Sequence, residues 1–276
     1  FDVREGVAFA RSEADHPGDL FYTAGAETRR LTRVNDAFLD ARSVGIPGEV
    51  RFESDGHEIQ GWVLTPPEYD GSETHPLVVD VHGGPHAMWT TAGTTWHEFQ
   101  ALAGAGYVVF WCNPRGSTGY GAAFAEAIER DWGAVTAADL LGGLDHVVDS
   151  FGVDPDEVYL TGGSFGGFMT AWLVGHTDRF RAAVAQRGVY DLASFYGSTD
   201  AFKLVEGDFD TTPWESPGFL HEQSPVAGVD AVETPTLVLH AENDYRVPVN
   251  NGEMLYLFLR KLGVDTRLVR YPREGH

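Results

Sequence analysis

Short, near-continuous apolar runs alternate with segments whose apolar residues recur at helical spacing, from about residue 45 onward. Runs of the first kind are typical of strands that are buried on both faces. They lie at residues 77–81, 107–111, 158–160, 182–185, 236–240 and 266–271. The segments with helical spacing lie at residues 96–103, 135–150, 168–174 and 249–262. Strands that alternate with helices predict an α/β fold, in which a mainly parallel sheet is covered by helices on both faces.

A hairpin is predicted before the first of these strands. Residues 49–52 and 59–64 flank the turn sequence Ser54-Asp55-Gly56, and we expect them to add an antiparallel pair to one edge of the sheet. An exposed strand edge can pair with a second copy of the chain, so a homo-oligomer is a candidate state.

The N-terminal stretch has a different character. Residues 7–11 and 20–23 are strand-like runs on either side of a turn-rich segment, which predicts a second hairpin. A lone hairpin is marginal in water, so we expect it to belong to a sheet that lies mostly outside the sequence. Because the sequence also begins without methionine, we expect it to be a fragment of a longer protein.

Two segments are predicted to interrupt the alternation of strands and helices. Asp154-Pro155 is expected to break the chain before the strand at residues 158–160. Residues 197–228 contain several prolines and are predicted to form a long irregular loop. A loop of this length is more often functional or lid-like than idle.

The sequence Gly162-x-Ser164-x-Gly166 lies between a predicted buried strand and a predicted helix. This is the nucleophile-elbow pattern, in which a sharp turn projects the serine Oγ above the sheet and glycines avoid collisions with the neighbouring strand and helix. The N–H of Phe165 lies at the helix start and is a candidate donor to an oxyanion. A glycine-rich turn without chemistry is the alternative for this motif alone.

A nucleophilic serine needs a base and an acid that orients the base, and after an elbow the chain order is serine, acid, histidine. Glu242 and Asp244 follow a predicted strand, where parallel sheets place their sites, and Asp244 is favoured because it sits deeper in the loop. His276 is the only histidine after Asp244. We expect Ser164 to attack a carbonyl carbon, His276 to move its proton and the acid to orient His276. The ending at His276 is expected to be a truncation.

A second oxyanion donor is expected in the loop after residues 77–81. This loop reads His-Gly-Gly-Pro, a glycine-rich type found in esterases and peptidases, and the Gly84 N–H is the candidate. His82 and His86 are four residues apart, a spacing that can suit a metal. No predicted helix carries them and no carboxylate pattern accompanies them, so we expect neither a metal nor a cofactor.

The charge of the chain excludes several classes of partner. The formal net charge is −22, from 41 acidic and 19 basic residues, which argues against nucleic acid and anionic membranes. No apolar run approaches the roughly 20 residues of a membrane span, and no signal peptide opens the sequence. The single cysteine, Cys112, excludes an internal disulfide. We therefore expect a cytoplasmic protein.

Four motifs occur in the chain at suitable spacing. They are the His-Gly-Gly-Pro loop, Asn-Pro-Arg-Gly-Ser-Thr-Gly-Tyr-Gly from position 113, Gly-Gly-Ser-Phe-Gly-Gly from position 162 and Asn-Asp-Tyr-Arg-Val-Pro from position 243. Together they resemble the prolyl oligopeptidase family of serine peptidases, S9, and most closely its acylaminoacyl-peptidase and dipeptidyl aminopeptidase branch. The resemblance implies an α/β-hydrolase catalytic domain at residues 45–276. Residues 1–44 would then be a remnant of a preceding β-propeller and the connection.

The resemblance also implies roles for individual residues. The family's charge-relay triad corresponds to three residues of this chain: Ser164, Asp244 and His276. Its oxyanion donors correspond to the N–H groups of Gly84 and Phe165, although the family commonly has tyrosine where Phe165 stands. Arg246 corresponds to a residue that binds a backbone carbonyl of the peptide next to the scissile residue.

These features predict a serine peptidase that hydrolyses short peptides, including N-acylated peptides. Two alternatives stay open: a carboxylesterase on the same fold, and a catalytically silent hydrolase-fold interaction module. Arg246 favours peptides. The acidic residues by which a dipeptidyl peptidase captures a free amino terminus would lie outside this sequence. Phe195, Phe202, Trp214 and Phe219 are candidates either for the pocket of the scissile residue or for the core.

The acidic surface predicts adaptation to high salt. Lys203 and Lys261 are the only lysines, and arginine supplies the other cations. Salt screens the self-repulsion of a strongly negative chain, so we expect the melting temperature to rise as salt increases toward molar concentrations. Thermal melts across a salt series measure this. A melting temperature that does not rise would identify an ordinary acidic protein instead.

Overall fold

The computed structural model describes residues 2–3, 6–91 and 96–276, which form two separate β-sheets. The first sheet is an antiparallel meander with four strands in chain order. Its strands are β1 (Asp2–Val3), β2 (Val7–Glu13), β3 (His16–Ala24) and β4 (Glu27–Arg30), followed by the short helix α1 (Asp36–Leu39). The predicted N-terminal hairpin is therefore confirmed as β2 and β3. Its origin in a β-propeller and the division of the chain at residue 45 stay predictions.

The second sheet has eight strands in the order β12-β11-β10-β9-β7-β8-β6-β5. The strands are β5 (Gly48–Ser54), β6 (His57–Leu64), β7 (His75–Val81), β8 (Val108–Asn113), β9 (Val153–Gly163), β10 (Ala182–Gln186), β11 (Thr236–Ala241) and β12 (Thr266–Tyr271). Strands β7 to β12 pair in parallel, whereas β5 and β6 pair antiparallel at one edge. The mainly parallel sheet with an antiparallel edge hairpin is thus confirmed.

The predicted break at Asp154-Pro155 is wrong, because β9 already begins at Val153. Val153 pairs with His75, and the regular register with β7 resumes only where Val158 pairs with Leu77. Proline has no N–H to give to a β-ladder. The irregular pairing between these two points accommodates it without ending the strand.

Helices connect the strands of the second sheet. They are α2 (Trp96–Gly104), α3 (Ala122–Glu126), α4 (Trp132–Ser150), α5 (Phe165–Val174), α6 (Leu192–Ser198), α7 (Lys203–Phe209), α8 (Pro217–Glu222), a 3₁₀ helix (Pro225–Ala231) and α9 (Asn250–Leu262). The irregular loop predicted at residues 197–228 is wrong, since α7, α8 and the start of the 3₁₀ helix lie there. Helices this short make too few turns to reveal their periodicity in a sequence. They are held by buried side chains such as Val205, Phe209 and Leu220.

Helices cover both faces of the second sheet, as the alternating pattern predicts. On one face, α4, α5 and α9 pack into the main hydrophobic core, and all ten residues of α5 are buried. On the other face, α2 packs over β6 and β8 in a smaller cluster: Trp62, Leu64, Phe99, Ala103, Val109 and Trp111. None of the helices within the described residues is long and apolar enough to cross a membrane.

A buried ion pair ties the loop after β8 to helix α4. The Arg115 side chain donates from Nε and Nη2 to Asp139, and the Arg115 backbone N–H also donates to Asp139 Oδ2 at 2.8 Å. The Asp139 side chain is fully buried, and Arg115 is only 7% exposed. A buried charge left without its partner is strongly destabilising.

Asp139→Ala is therefore expected to lower the free energy of unfolding by about 3 kcal/mol, because it leaves the buried Arg115 guanidinium with only the exposed carboxylate of Asp55 as an ion-pair partner. Asp145→Ala is the matched control: it lies on the same helix, and its carboxylate meets Arg179 at 2.8 Å on the surface. An exposed pair contributes about 0–1 kcal/mol. Chemical denaturation at fixed salt measures both variants. Equal losses would contradict a special role for the buried pair.

Candidate active site

The turn between β9 and α5 holds Ser164 in a strained backbone conformation. Ser164 has φ 62° and ψ −118°, a region that residues other than glycine rarely occupy. The turn fits because Gly166 lies directly against the end of β7: a Cβ there would be 1.9 Å from the Val81 carbonyl oxygen. A Cβ at Gly162 would likewise lie 2.7 Å from the Gly166 backbone. The strand, turn and helix that the motif predicts are all present.

The structure brings the three predicted charge-relay residues together. His276 Nε2 lies 2.9 Å from Ser164 Oγ, and His276 Nδ1 lies 2.7 Å from Asp244 Oδ2. Because an ionised carboxylate only accepts hydrogen bonds, the Nδ1–H donates to Asp244 and leaves Nε2 to accept from the serine hydroxyl. The three side chains are thus linked by hydrogen bonds in the order serine, histidine, carboxylate, which is a geometry that can activate a serine.

Asp244 is buried and firmly held. Its Oδ1 accepts the backbone N–H groups of Arg246 at 3.0 Å and Val247 at 2.8 Å, while Oδ2 faces His276. Burial alone would raise the pKa of the Asp244 carboxyl, but hydrogen bonds from His276 and the Val247 N–H outweigh burial and lower that pKa. Asp244 is therefore a carboxylate at neutral pH, with the charge needed to stabilise an imidazolium.

The alternative acid, Glu242, is not near the serine and histidine. Its carboxylate is exposed and lies 3.2 Å from Arg270 on the surface. Sequence reasoning missed the buried His240, whose Nε2 donates to the Val247 carbonyl at 2.7 Å and thereby closes the loop that carries Asp244. Burial lowers the pKa of His240, so its ring is neutral. The signal in the sequence is a histidine four residues before the acid, at the end of a strand.

A cavity of about 420 Å³ opens in front of Ser164. Gly84 and Phe165, the predicted oxyanion donors, both line it, together with His276 and Arg246. Gly83 brings the loop after β7 close to the nucleophile, since a Cβ there would lie 3.2 Å from Ser164 Cβ. Much of the wall is apolar: Trp89, Trp132, Val189, Phe195, Leu204 and Val247.

The predicted pocket aromatics separate into different environments. Phe195 lines the cavity, whereas Phe202 and Trp214 are 40% and 72% exposed and do not line it. Phe219 packs against Phe209 in the core and under the guanidinium of Arg130. The guanidinium of Arg246 lies at the cavity, where its Nε donates to Asp200 Oδ1 at 2.6 Å.

His82 and His86 are both engaged in hydrogen bonds that leave no ring nitrogen for a metal. The His82 Nδ1–H donates to the Gly83 carbonyl at 2.7 Å and Nε2 accepts from Ser117 Oγ at 2.9 Å, which anchors the loop of the predicted oxyanion donor. His86 bonds the Gly116 carbonyl at 2.9 Å and Asp208 at 3.0 Å. The bond to Asp208 raises the pKa of His86.

One group of potential metal ligands lies elsewhere in the described residues, between β3 of the first sheet and the start of α1. His16, Asp19 and Asp36 have ligand atoms within 4.8 Å of one another. Arg30 lies among them and donates to both carboxylates. The guanidinium therefore supplies the positive charge that a metal ion would bring, and this group is an ion-pair network.

Comparison with known proteins places this geometry in a family. A model of the prolyl oligopeptidase family, peptidase family S9, matches residues 93–276, about two thirds of the chain. The chain belongs to this family. An uncharacterized peptidase of Bacillus subtilis, YuxL, is 39% identical over 96% of this chain and 41% of its own length. Dipeptidyl-peptidase 5 of Schizosaccharomyces pombe is 32% identical over 88% of this chain and 37% of its own length.

Solved structures of the family have the same fold. An acylaminoacyl peptidase in complex with Z-Gly-Gly-Phe-chloromethyl ketone superposes with a TM-score of 0.94 at 29% identity, covering all of this chain and 44% of that chain. A puromycin-hydrolyzing peptidase of Mycobacterium tuberculosis superposes with a TM-score of 0.87 at 27% identity, covering 99% and 42%. The predicted α/β-hydrolase fold is confirmed. The chain spans about two fifths of the length of the relatives it matches.

Proposed function

We propose that this chain is the catalytic region of a serine peptidase that cleaves short peptides, N-acylated peptides among them. The observation that carries the proposal is the unbroken hydrogen-bond path from Ser164 through His276 to Asp244. A catalytically silent interaction module has no need to keep a strained serine aligned on a histidine and a buried carboxylate. The family membership and the peptidase names of the relatives support the same reaction class.

The reaction follows from the positions of the three residues. Ser164 Oγ attacks the carbonyl carbon of the scissile bond while His276 Nε2 takes the hydroxyl proton. The tetrahedral intermediate collapses as the C–N bond breaks and Nε2–H protonates the leaving amine, which leaves an acyl ester on Ser164. Water then attacks the ester carbonyl carbon while His276 Nε2 takes a proton from it. The acyl C–O bond breaks as Nε2–H returns this proton to Ser164 Oγ, which releases the acid product and restores the serine hydroxyl. Asp244 holds the ring in the required tautomer throughout.

Stabilisation of the oxyanion is assigned to two backbone N–H groups. Phe165 is the first residue of α5, where helix N–H groups lack intrahelical partners and the helix dipole favours negative charge. Gly84 faces the same cavity from the loop after β7. Loss of one such donor typically costs about 3 kcal/mol of transition-state stabilisation.

Recognition of the acyl part is assigned to the apolar wall and to Arg246. The wall suits an apolar side chain at the scissile residue. The Nε–H of Arg246 donates to Asp200, and the guanidinium has further N–H groups that can donate to a peptide carbonyl. The structural relative bound to a Phe chloromethyl ketone supports an apolar residue at this position.

Fluorophosphonate labelling tests the activated serine. In high salt, the wild type is expected to carry a single adduct on Ser164, mapped by mass spectrometry. Ser164→Ala should abolish labelling, and Asp244→Asn should slow turnover by about 10⁴-fold because the imidazole loses its orienting charge. Ser198→Ala, at an exposed serine on α6, is the control and should label normally. A folded wild type without an adduct would contradict the proposal.

Substrate panels separate a peptidase from a carboxylesterase, which shares the acyl-enzyme route. We expect turnover of acyl-amino-acid anilides as well as p-nitrophenyl esters, because Arg246 is placed to hold a peptide carbonyl. Arg246→Met should lower kcat/KM for the anilides more than for small esters, which lack that carbonyl. Values of kcat/KM for both substrate classes, measured on the wild type and on Arg246→Met, distinguish the two activities. Turnover of esters alone would identify an esterase.

A further inference from the structure

Two arginines line the cavity in front of Ser164, and they differ in whether a carboxylate pairs with the guanidinium. Arg246 is neutralised by Asp200, with which it forms an ion pair on the rim. Arg187 lines the same cavity and is partly buried. Within residues 6–91 and 96–276, its guanidinium has neither a hydrogen-bond acceptor nor an ion-pair partner. A partly buried guanidinium with unused donors in a cavity is a binding group for an anion.

Arg187 reaches the nucleophile from the neighbouring strand. It directly follows β10, with φ 40° and its backbone N–H donating to the Leu239 carbonyl at 2.7 Å. Its Nη1 fills the space beside Gly163, since a Cβ at Gly163 would lie 2.1 Å from that nitrogen. The guanidinium therefore packs on the residue that directly precedes Ser164. A left-handed backbone at an arginine is an unfavourable conformation that calls for an explanation.

One counter-charge near Arg187, the carboxyl of Asp80, is weakened by burial. Asp80, on β7, feels the positive charge of Arg187 but is only 3% exposed. Burial, together with repulsion from Glu98, raises the pKa of Asp80 well above its ordinary value. Because burial disfavours the charged form of Asp80, this carboxyl is a weak counter-charge, and the Arg187 guanidinium can still pair with a ligand. The net charge of the chain is −22, so a local cation in the cavity is needed to attract an anionic group there.

The position of Arg187 indicates which side of the substrate it meets. Besides the main cavity, Arg187 lines a smaller one of about 260 Å³ with His240, Glu274 and Gly275, beneath the loop that carries His276. His276 is the group that protonates the leaving amine, so the leaving part departs on its side. The groups assigned to the acyl part belong to other elements. Phe195 and Leu204 lie on α6 and α7, and the segment between these helices carries Asp200, the partner of Arg246. Arg187 is therefore assigned to the leaving part.

We propose that Arg187 binds a carboxylate on the leaving part of the peptide, so that bonds directly before a free carboxyl-terminal residue are preferred. The inference rests on the proposed function and names its substrate class. A guanidinium donates two parallel hydrogen bonds to a carboxylate, a match that neither an amide nor a neutral leaving group offers. The carboxylate is supplied by the free chain terminus or by an acidic side chain of the leaving residue.

The test compares substrates that share one scissile bond. Acyl-Phe-Ala with a free carboxyl group is compared with its amide, by kcat/KM at one salt concentration. The wild type should prefer the free acid by about 10- to 100-fold, the range of a hydrogen bond to a charged group. Arg187→Gln should bring this ratio close to one, and Arg187→Lys should retain part of it. Turnover of acyl-Phe-Glu-amide shows whether Arg187 also binds a side-chain carboxylate of the leaving residue.

Arg181→Gln is the matched control, because it makes the same change directly before β10, at the opposite end of that strand. It should leave the acid-to-amide ratio as in the wild type. If Arg187→Gln lowers both substrates equally, the residue has only a structural role and the inference is overturned. A preference for an acidic residue on the acyl side that depends on Arg187 would also overturn it. A wild type without turnover or fluorophosphonate adduct would contradict the proposed function itself.

Discussion

The whole site depends on backbone-to-backbone contact at the serine turn. Gly166 lies against the carbonyl end of β7, at a distance that no side chain allows, and this contact draws α5 close to the central strands. Because Val81 pairs with Gly162, the register of β7 and β9 places the end of one strand beside the turn that follows the other. Ser164 therefore projects into the cavity beside the loop that carries Gly84. One close contact fixes both the nucleophile and the proposed oxyanion donors.

The remaining groups reach Ser164 because parallel strands end at the same edge of the sheet. Asp244 follows β11 and His276 follows β12, so both loops turn back toward the serine from the same side. The Asp244 loop is fixed from within by the N–H groups that its own carboxylate accepts and by the bond from His240 to the Val247 carbonyl. Such support holds the carboxylate in position before any substrate binds, which is what an orienting acid requires.

The sequence predicts features that rest on long patterns or on fixed motif spacing. Buried central strands, the long helices and the order of Ser164, Asp244 and His276 are of this kind. The short helices at residues 203–222 are not predicted, because tertiary burial and not a periodic pattern stabilises them. The break predicted at Pro155 is wrong because irregular pairing with β7 lets β9 continue past the proline. Arg187 gave no signal, since only the folded sheet places it beside Gly163.

Charge explains how an acidic protein keeps a site for polar substrates. The surface carries the negative excess, while the cations that line the cavity are few and individually placed. Arg246 shares its charge with an exposed aspartate, so it serves best as a donor to a neutral carbonyl. Arg187 lies beside Gly163 of β9, and Asp80 is a weak counter-charge for it because burial raises the pKa of the Asp80 carboxyl. Two arginines a short distance from one serine thus differ in what they can bind, and the difference comes from their carboxylate neighbours.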